Sequence, residues 1–182
     1  MKQLSLMIDL ERCIGCKTCI AACRNYHELV DHEAGIPNEI PYYLRVESKR
    51  EGTYPDVSVT SWVVPCLHCI NAPCVKACKA NAIAKDPETG IVRIDAEKCV
   101  GAKDCIEVCH YNVIQFNEKD NFAHKCDMCF DRVHSGEIPV CAEVCLTNAI
   151  TFGERKLLKQ RAVDNGRNVV KKMSTQSILY IR

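Results

Sequence analysis

The stretch Cys13-Ile14-Gly15-Cys16-Lys17-Thr18-Cys19-Ile20-Ala21-Ala22-Cys23 separates its thiols by two, two and then three residues. This is iron–sulfur spacing: three thiolates on one tight loop hold three irons of a cubane, and the fourth, one helical turn on, reaches a neighbouring cluster. Such a run implies a partner, and three more groups follow. They are Cys66, Cys69, Cys74 and Cys78; then Cys99, Cys105 and Cys109; then Cys126, Cys129, Cys141 and Cys145. Gly15, inside the first loop, lets the backbone wrap close and aim its N–H groups at sulfide.

Working outward, all 15 cysteines of the 182 residues fall in these groups, and only 6% of the chain is aromatic. The core is therefore expected to form around inorganic clusters. An odd thiol count in metal-type spacing argues against a disulfide framework. The apolar stretch Leu4 to Ile8 is broken by Ser5 and ends at Asp9, too short for a signal core, and no twin arginine precedes it. No run of about 18 apolar residues exists, so no membrane span is expected. The expected location is cytoplasmic, with export on a partner left open. A formal charge of +1 excludes a general polyelectrolyte-binding role, yet eight basic residues stand against Asp164 alone from Arg155 to Arg182. A solvated or partner-docking extension is the expectation there, not nucleic-acid binding.

Between the groups the pattern alternates hairpins with short helical turns. Leu4 to Leu10 reads as a strand, and a helical turn through Cys23 runs to about Leu29, with Cys19 and Cys23 on one face. Within Asp31 to Val64, punctuated by Pro37, Pro41, Gly52 and Pro55, the pieces Tyr42 to Glu47 and Val57 to Val64 are expected to pair, with Glu51-Gly52 near the turn. Ala82 to Ala84 and Ile91 to Ile94 flank the turn Asp86 to Gly90. Val113 to Phe116 and Asn121 to Lys125 repeat that hairpin, and Ala149 to Phe152 follows the last group. The recurrence of loop, helical turn and hairpin marks an internal duplication of α+β units. Glu154 to Val163 reads as a helix stopped by Gly166, and Ser177 to Arg182 as an edge strand.

Clustered thiolates are soft ligands and select zinc or iron–sulfur clusters. Structural zinc takes two ligand pairs across a longer spacer. Here each complete group ends in a cysteine four after the last, which crowds a zinc site and suits ligand exchange between two cubanes.

The groups, with Trp62-Val63-Val64-Pro65-Cys66-Leu67-His68-Cys69 and Ala72-Pro73-Cys74-Val75-Lys76-Ala77-Cys78, resemble the electron-transfer subunits of pterin-dependent molybdenum and tungsten oxidoreductases. Dimethyl sulfoxide, polysulfide and thiosulfate reductases are examples. The resemblance covers residues 5–153. It implies an α+β fold of two nested ferredoxin-like modules. Residues 1–30 and 120–153 form the outer module and 65–119 the inner one; outside the resemblance, 31–64 reads as an inserted β region and 154–182 as a basic C-terminal docking extension. It also implies crossed ligand sets. Cys13, Cys16 and Cys19 take Cys145; Cys126, Cys129 and Cys141 take Cys23; Cys66, Cys69 and Cys74 take Cys109. The set Cys78, Cys99 and Cys105 is one short, because Ala102 stands where a fourth cysteine belongs. Three [4Fe–4S] clusters are implied, and the fourth site holds a [3Fe–4S] cluster, is vacant, or completes a four-iron cluster with a non-protein ligand or Asp104.

His68 and His110 lie among these cysteines. Each is open to two readings, a packed or solvated side chain or a donor to sulfur that raises the local potential. Trp62 is read as packing on the wall of a cluster, with an interface role as the alternative.

No dinucleotide fingerprint, P-loop or triad accompanies the cysteines. The expected role is relaying single electrons between a large molybdopterin or tungstopterin catalytic subunit and a further donor or acceptor protein, with the enzyme's chemistry in another chain. A tungsten aldehyde-oxidoreductase-type, formate dehydrogenase or hydrogenase complex is the alternative partner class. A free polyferredoxin and a zinc-stapled interaction protein are the competing readings.

Overall fold

The computed structural model describes residues 3–29, 41–170 and 177–182. The start of the expected insertion, residues 31–40 with Pro37, and the tail residues Lys171 and Lys172 lie outside the described residues. The chain opens with β1 (Leu4–Asp9), α1 (Thr18–Tyr26), β2 (Leu44–Thr53) and β3 (Asp56–Pro65). Next come α2 (Pro73–Ala77), β4 (Ile83–Lys85), β5 (Val92–Ile94), α3 (Asp104–Glu107), β6 (Gln115–Asn117) and β7 (Phe122–His124). It closes with α4 (Phe130–His134), α5 (Val140–Glu143), β8 (Ile150–Glu154), α6 (Arg155–Asp164) and β9 (Ile178–Ile181). The architecture is α+β, with short helices and small antiparallel ladders.

β1 is the middle of a three-stranded sheet. β8 pairs antiparallel on one side, Ile8 opposite Ile150, and β9 pairs parallel on the other, Leu6 opposite Ile178. Both faces are covered. Leu6, Ile8, Ile178 and Tyr180 pack into the core that contains Cys19, Cys23, Cys129 and Cys141, while Met7, Leu179 and Ile181 meet Leu158 and Ala162 of α6. A strand buried on both sides needs apolar residues at successive positions, which is why Leu4 to Leu10 alternates so weakly. The interrupting Ser5 is fully buried and donates its hydroxyl to the Ser177 carbonyl at 2.7 Å. α6 buries only Leu158 and Ala162, four apart on one face, and leaves Lys156, Leu157, Lys159, Arg161 and Val163 exposed.

The hairpin β2–β3 runs in register from Leu44 opposite Pro65 to Thr53 opposite Asp56. The two expected strand pieces pair, but the ladder continues through Gly52 and turns at Tyr54-Pro55. Gly52 permits this because its φ is +89° and a Cβ there would lie 2.0 Å from the Asp56 carbonyl oxygen. The base of the hairpin, with Leu44 and Val63, belongs to the core; the distal half is exposed. Further along, α2 is followed by the β4–β5 hairpin and α3 by β6–β7, and the two repeats share a second core of Ala72, Cys74, Ile83, Val92, Cys105, Ile114 and Ala123.

Candidate iron–sulfur centres

All 15 cysteines are free thiols, and the fold gathers them into four groups that cross the sequence. In the first, Gly15 and Lys17 have φ of +68° and +64°, so the loop curls through two left-handed residues before α1 starts at Thr18. The curl aims the Gly15 amide at the Cys13 thiol and brings the Thr18 hydroxyl to 3.4 Å from the Cys16 sulfur. α5 packs on α1 and delivers Cys145, so that Cys13, Cys16, Cys19 and Cys145 line one cavity against Val46, Val63 and Ile150. Burial, then the crowding of Cys13, Cys145 and Cys16, pushes the Cys19 thiol up to about 11. Exposed Cys16 is pulled down by the Thr18 hydroxyl and amide.

One turn along α1, Cys23 faces a different group. Its neighbour is Cys129; Cys126 feels Cys23 and Cys141, and Cys141 feels Cys129 and Cys23. All four are buried. Burial pushes Cys23 up to about 12 and Cys129 up to about 11, and drives Cys126 and Cys141 well above the ordinary thiol value. The Met128 amide donates to the Cys126 sulfur at 3.4 Å, from a loop held left-handed at Met128 and Cys129.

Cys66, Cys69, Cys74 and Cys109 line a cavity of about 590 Å³ with Leu67, His68, Val92, Val113 and Ile114. Burial raises Cys69, with Cys66 and Cys109 adding to it, and raises Cys74 to about 11 against the opposing pull of Lys125. The last three thiols, Cys78, Cys99 and Cys105, line a smaller cavity with Ala102, Ile83, Ile94 and Phe116. Cys105 is raised by burial and then by Cys99 and Cys78. Gly101 and Lys103 have φ of +71° and +63°, and a helix starts at the next residue, Asp104. The loop thus repeats the backbone of the Cys13–Cys19 loop around an alanine.

Desolvated thiols crowded in this way repel one another if they ionise in the absence of a cation. A cationic centre inverts that logic and holds coordinating thiols as thiolates. Soft sulfur donors in fours, apolar walls and amides directed at sulfur are what an iron–sulfur cluster requires.

His110 is exposed. His68 is fully buried, and Trp62 is half-buried against the main core. Two polar residues escaped the sequence reading. Lys125 is buried, its ammonium donating to the Cys126 carbonyl at 3.0 Å and to the Val92 carbonyl. Its one local signal is that it directly precedes Cys126. His27, four residues after Cys23, has its Nε2 3.6 Å from the Cys129 sulfur and 3.5 Å from Asp127 Oδ1. Among the described residues no helix is long and apolar enough to cross a membrane.

Residues 57–155 match the family described as the 4Fe-4S dicluster domain, and residues 6–25 match the 4Fe-4S binding domain. A sulfite dehydrogenase subunit from Allochromatium vinosum is 33% identical over 168 residues, covering 85% of this chain and 70% of the relative. The small subunit of pyrogallol hydroxytransferase from Pelobacter acidigallici is 32% identical over 199 residues, covering 100% of this chain and 69% of the relative. The iron–sulfur subunit of the nitrate-inducible formate dehydrogenase of Escherichia coli is 32% identical over 169 residues, covering 88% of this chain. The chain spans only 57% of that last protein.

Proposed function

From the premise that this chain belongs to the family of iron–sulfur electron-transfer subunits of molybdenum oxidoreductases, we propose that it relays single electrons between a large pterin-bearing catalytic subunit and a second redox protein. Three four-iron clusters are held by Cys13, Cys16, Cys19 and Cys145, by Cys23, Cys126, Cys129 and Cys141, and by Cys66, Cys69, Cys74 and Cys109. The observation that carries this reading is the crossed grouping, in which the last thiol of one run sits with the first three of another. Bound clusters supply one-electron storage and passage at potentials set by their surroundings.

The protein's own residues do the rest. Leu67, Val92, Val113 and Ile114 exclude water from one site and Val46, Val63 and Ile150 from another. The amides of Gly15 and Met128 steady thiolate charge. Neighbouring sites adjoin in a row. Cys19 is among the thiols felt by Cys23, Cys66 is among those felt by Cys126, and Cys74 and Cys105 share one core. The fourth site, at Cys78, Cys99 and Cys105, lies at one end of that row. Its preserved left-handed loop favours a [3Fe–4S] cluster there over a vacancy.

No catalytic residue is assigned to this chain, and substrate chemistry belongs to the partner. Exposed aliphatic side chains beside the cluster loops suit docking: Ile14 and Leu146 flank the first site and Val100 the last. The exposed basic face of α6 is a further docking surface. Anaerobic purification with iron and sulfide analysis tests the reading. A brown protein bleached by dithionite that co-purifies with a large pterin-containing chain is expected; a chain that comes out colourless and free of iron and sulfide from anaerobic, iron-replete growth would end it.

A further inference from the structure

His68 lies between Cys66 and Cys69 with φ of +41°, a left-handed conformation that is unusual for a side chain of this size. It is fully buried, and two contacts fix how it sits. Its carbonyl accepts the Ser177 hydroxyl at 2.8 Å, which ties the loop to the strand leading into β9. Its Nδ1 accepts the Val92 amide at 2.9 Å. A ring nitrogen that accepts an amide proton carries none of its own, so the neutral ring bears its proton on Nε2. Among the described residues Nε2 itself has no partner, although it is buried, and His68 is one of the residues around the cavity of Cys66, Cys69, Cys74 and Cys109. A buried N–H donor without an acceptor is costly, so this one calls for a partner. Sulfur is expected in the cavity that His68 borders.

We propose that His68 Nε2–H donates to a sulfur of the cluster held by Cys66, Cys69, Cys74 and Cys109 and thereby raises the reduction potential of that one site. The inference rests on the electron-relay reading. The electron adds to the cluster and increases negative charge on its sulfurs, so the hydrogen bond strengthens on reduction, and the proton stays on Nε2. Reduction is therefore favoured at this site over the same site without the donor.

The experiment is a potentiometric titration with dithionite and mediators, followed by low-temperature EPR, on the full chain in its complex. His68→Leu lowers one midpoint by an amount equivalent to about tenfold in the one-electron equilibrium, ~59 mV, and leaves the other sites unmoved. His68→Gln, which keeps an N–H donor, recovers part of that shift. In the parent protein labelled with 15N-histidine, the reduced cluster shows a nitrogen coupling and an exchangeable-proton coupling, a readout that stands even where a variant fails to fold. Unchanged midpoints in iron-replete His68→Leu, or absence of both couplings in the parent, overturn the inference while leaving the relay reading intact. A parent chain without iron and sulfide overturns both.

Discussion

The C-terminal strand is an integral part of the outer sheet, and Leu179→Ala measures how much it holds. Leu179 is 0% exposed and packs with Met7, Leu158, Ala162 and Ile181 between the sheet and α6. Removing three buried carbons there leaves a cavity between the sheet and α6, a loss of about 2–5 kcal/mol. For a chain of this size each kcal/mol moves the midpoint by roughly 2–4 °C, so the expected drop is about 4–20 °C. The assay is bleaching of the visible cluster band on heating, anaerobically and at one scan rate, with iron content at 25 °C as the loading control. Leu157→Ala is the internal comparison, because Leu157 lies on the opposite, exposed side of α6 at 67% exposure. Its change stays within about 0.5 kcal/mol. A Leu179→Ala midpoint indistinguishable from that of Leu157→Ala would mean that β9 contributes nothing to the core and serves docking alone.

Other perturbations separate the remaining claims. Ala102→Cys restores the missing thiolate, so iron per chain rises by about one where a three-iron cluster is upgraded, or by about four where a vacant site fills; unchanged iron and an unchanged oxidised EPR signal count against the assigned loop. Gly15→Ala adds a Cβ that would meet Ser61 Oγ at 2.8 Å, whereas a Cβ at Gly136 meets nothing within 4 Å. Both carry a left-handed penalty of about 1–2 kcal/mol, yet only Gly15→Ala loses cluster iron by elemental analysis. For the metal-free chain the sign of pH dependence follows from thiols raised from 9.0 to about 12 at Cys23 and about 11 at Cys19 and Cys74. Folding stability is whole below the unfolded thiol value and is lost as pH rises through the folded ones. The urea midpoint of the metal-free chain should accordingly fall between about pH 8 and about pH 10; an equal or higher midpoint at the upper pH would contradict the burial argument.

Local chemistry made much of this fold legible. The Asp86 to Gly90 turn announces itself because Asp86 Oδ1 accepts the Thr89 amide and hydroxyl, both at 2.6 Å, and the strands on either side pair as their residues suggest. The helix from Arg155 is marked by Leu158 and Ala162. What the sequence hid is non-local. The parallel pairing of β9 with β1 joins Leu6 to Ile178, and nothing near either residue encodes the other. The burial of Lys125 depends on the carbonyl of Val92, more than 30 positions away. His68 and His110 look alike in the sequence, each touching a cysteine, and only the walls built by distant strands leave one buried and the other exposed. The grouping of the cysteines was the most legible part, since thiol spacing constrains backbone shape directly, and left-handed residues recur at Gly15 and Lys17 and at Gly101 and Lys103.

The crossing of Cys145 to the opening loop also sets a timetable. At about 5–20 residues per second, a ribosome delivers Cys145 roughly 6–25 s after Cys19, and β8, which closes the sheet beside β1, only after that. The inner repeat, from Cys66 to Cys109, is complete well before. The thiols of the Cys66 to Cys109 group therefore leave the ribosome together before the first group is complete, and the N-terminal loop spends that interval as three thiols without Cys145.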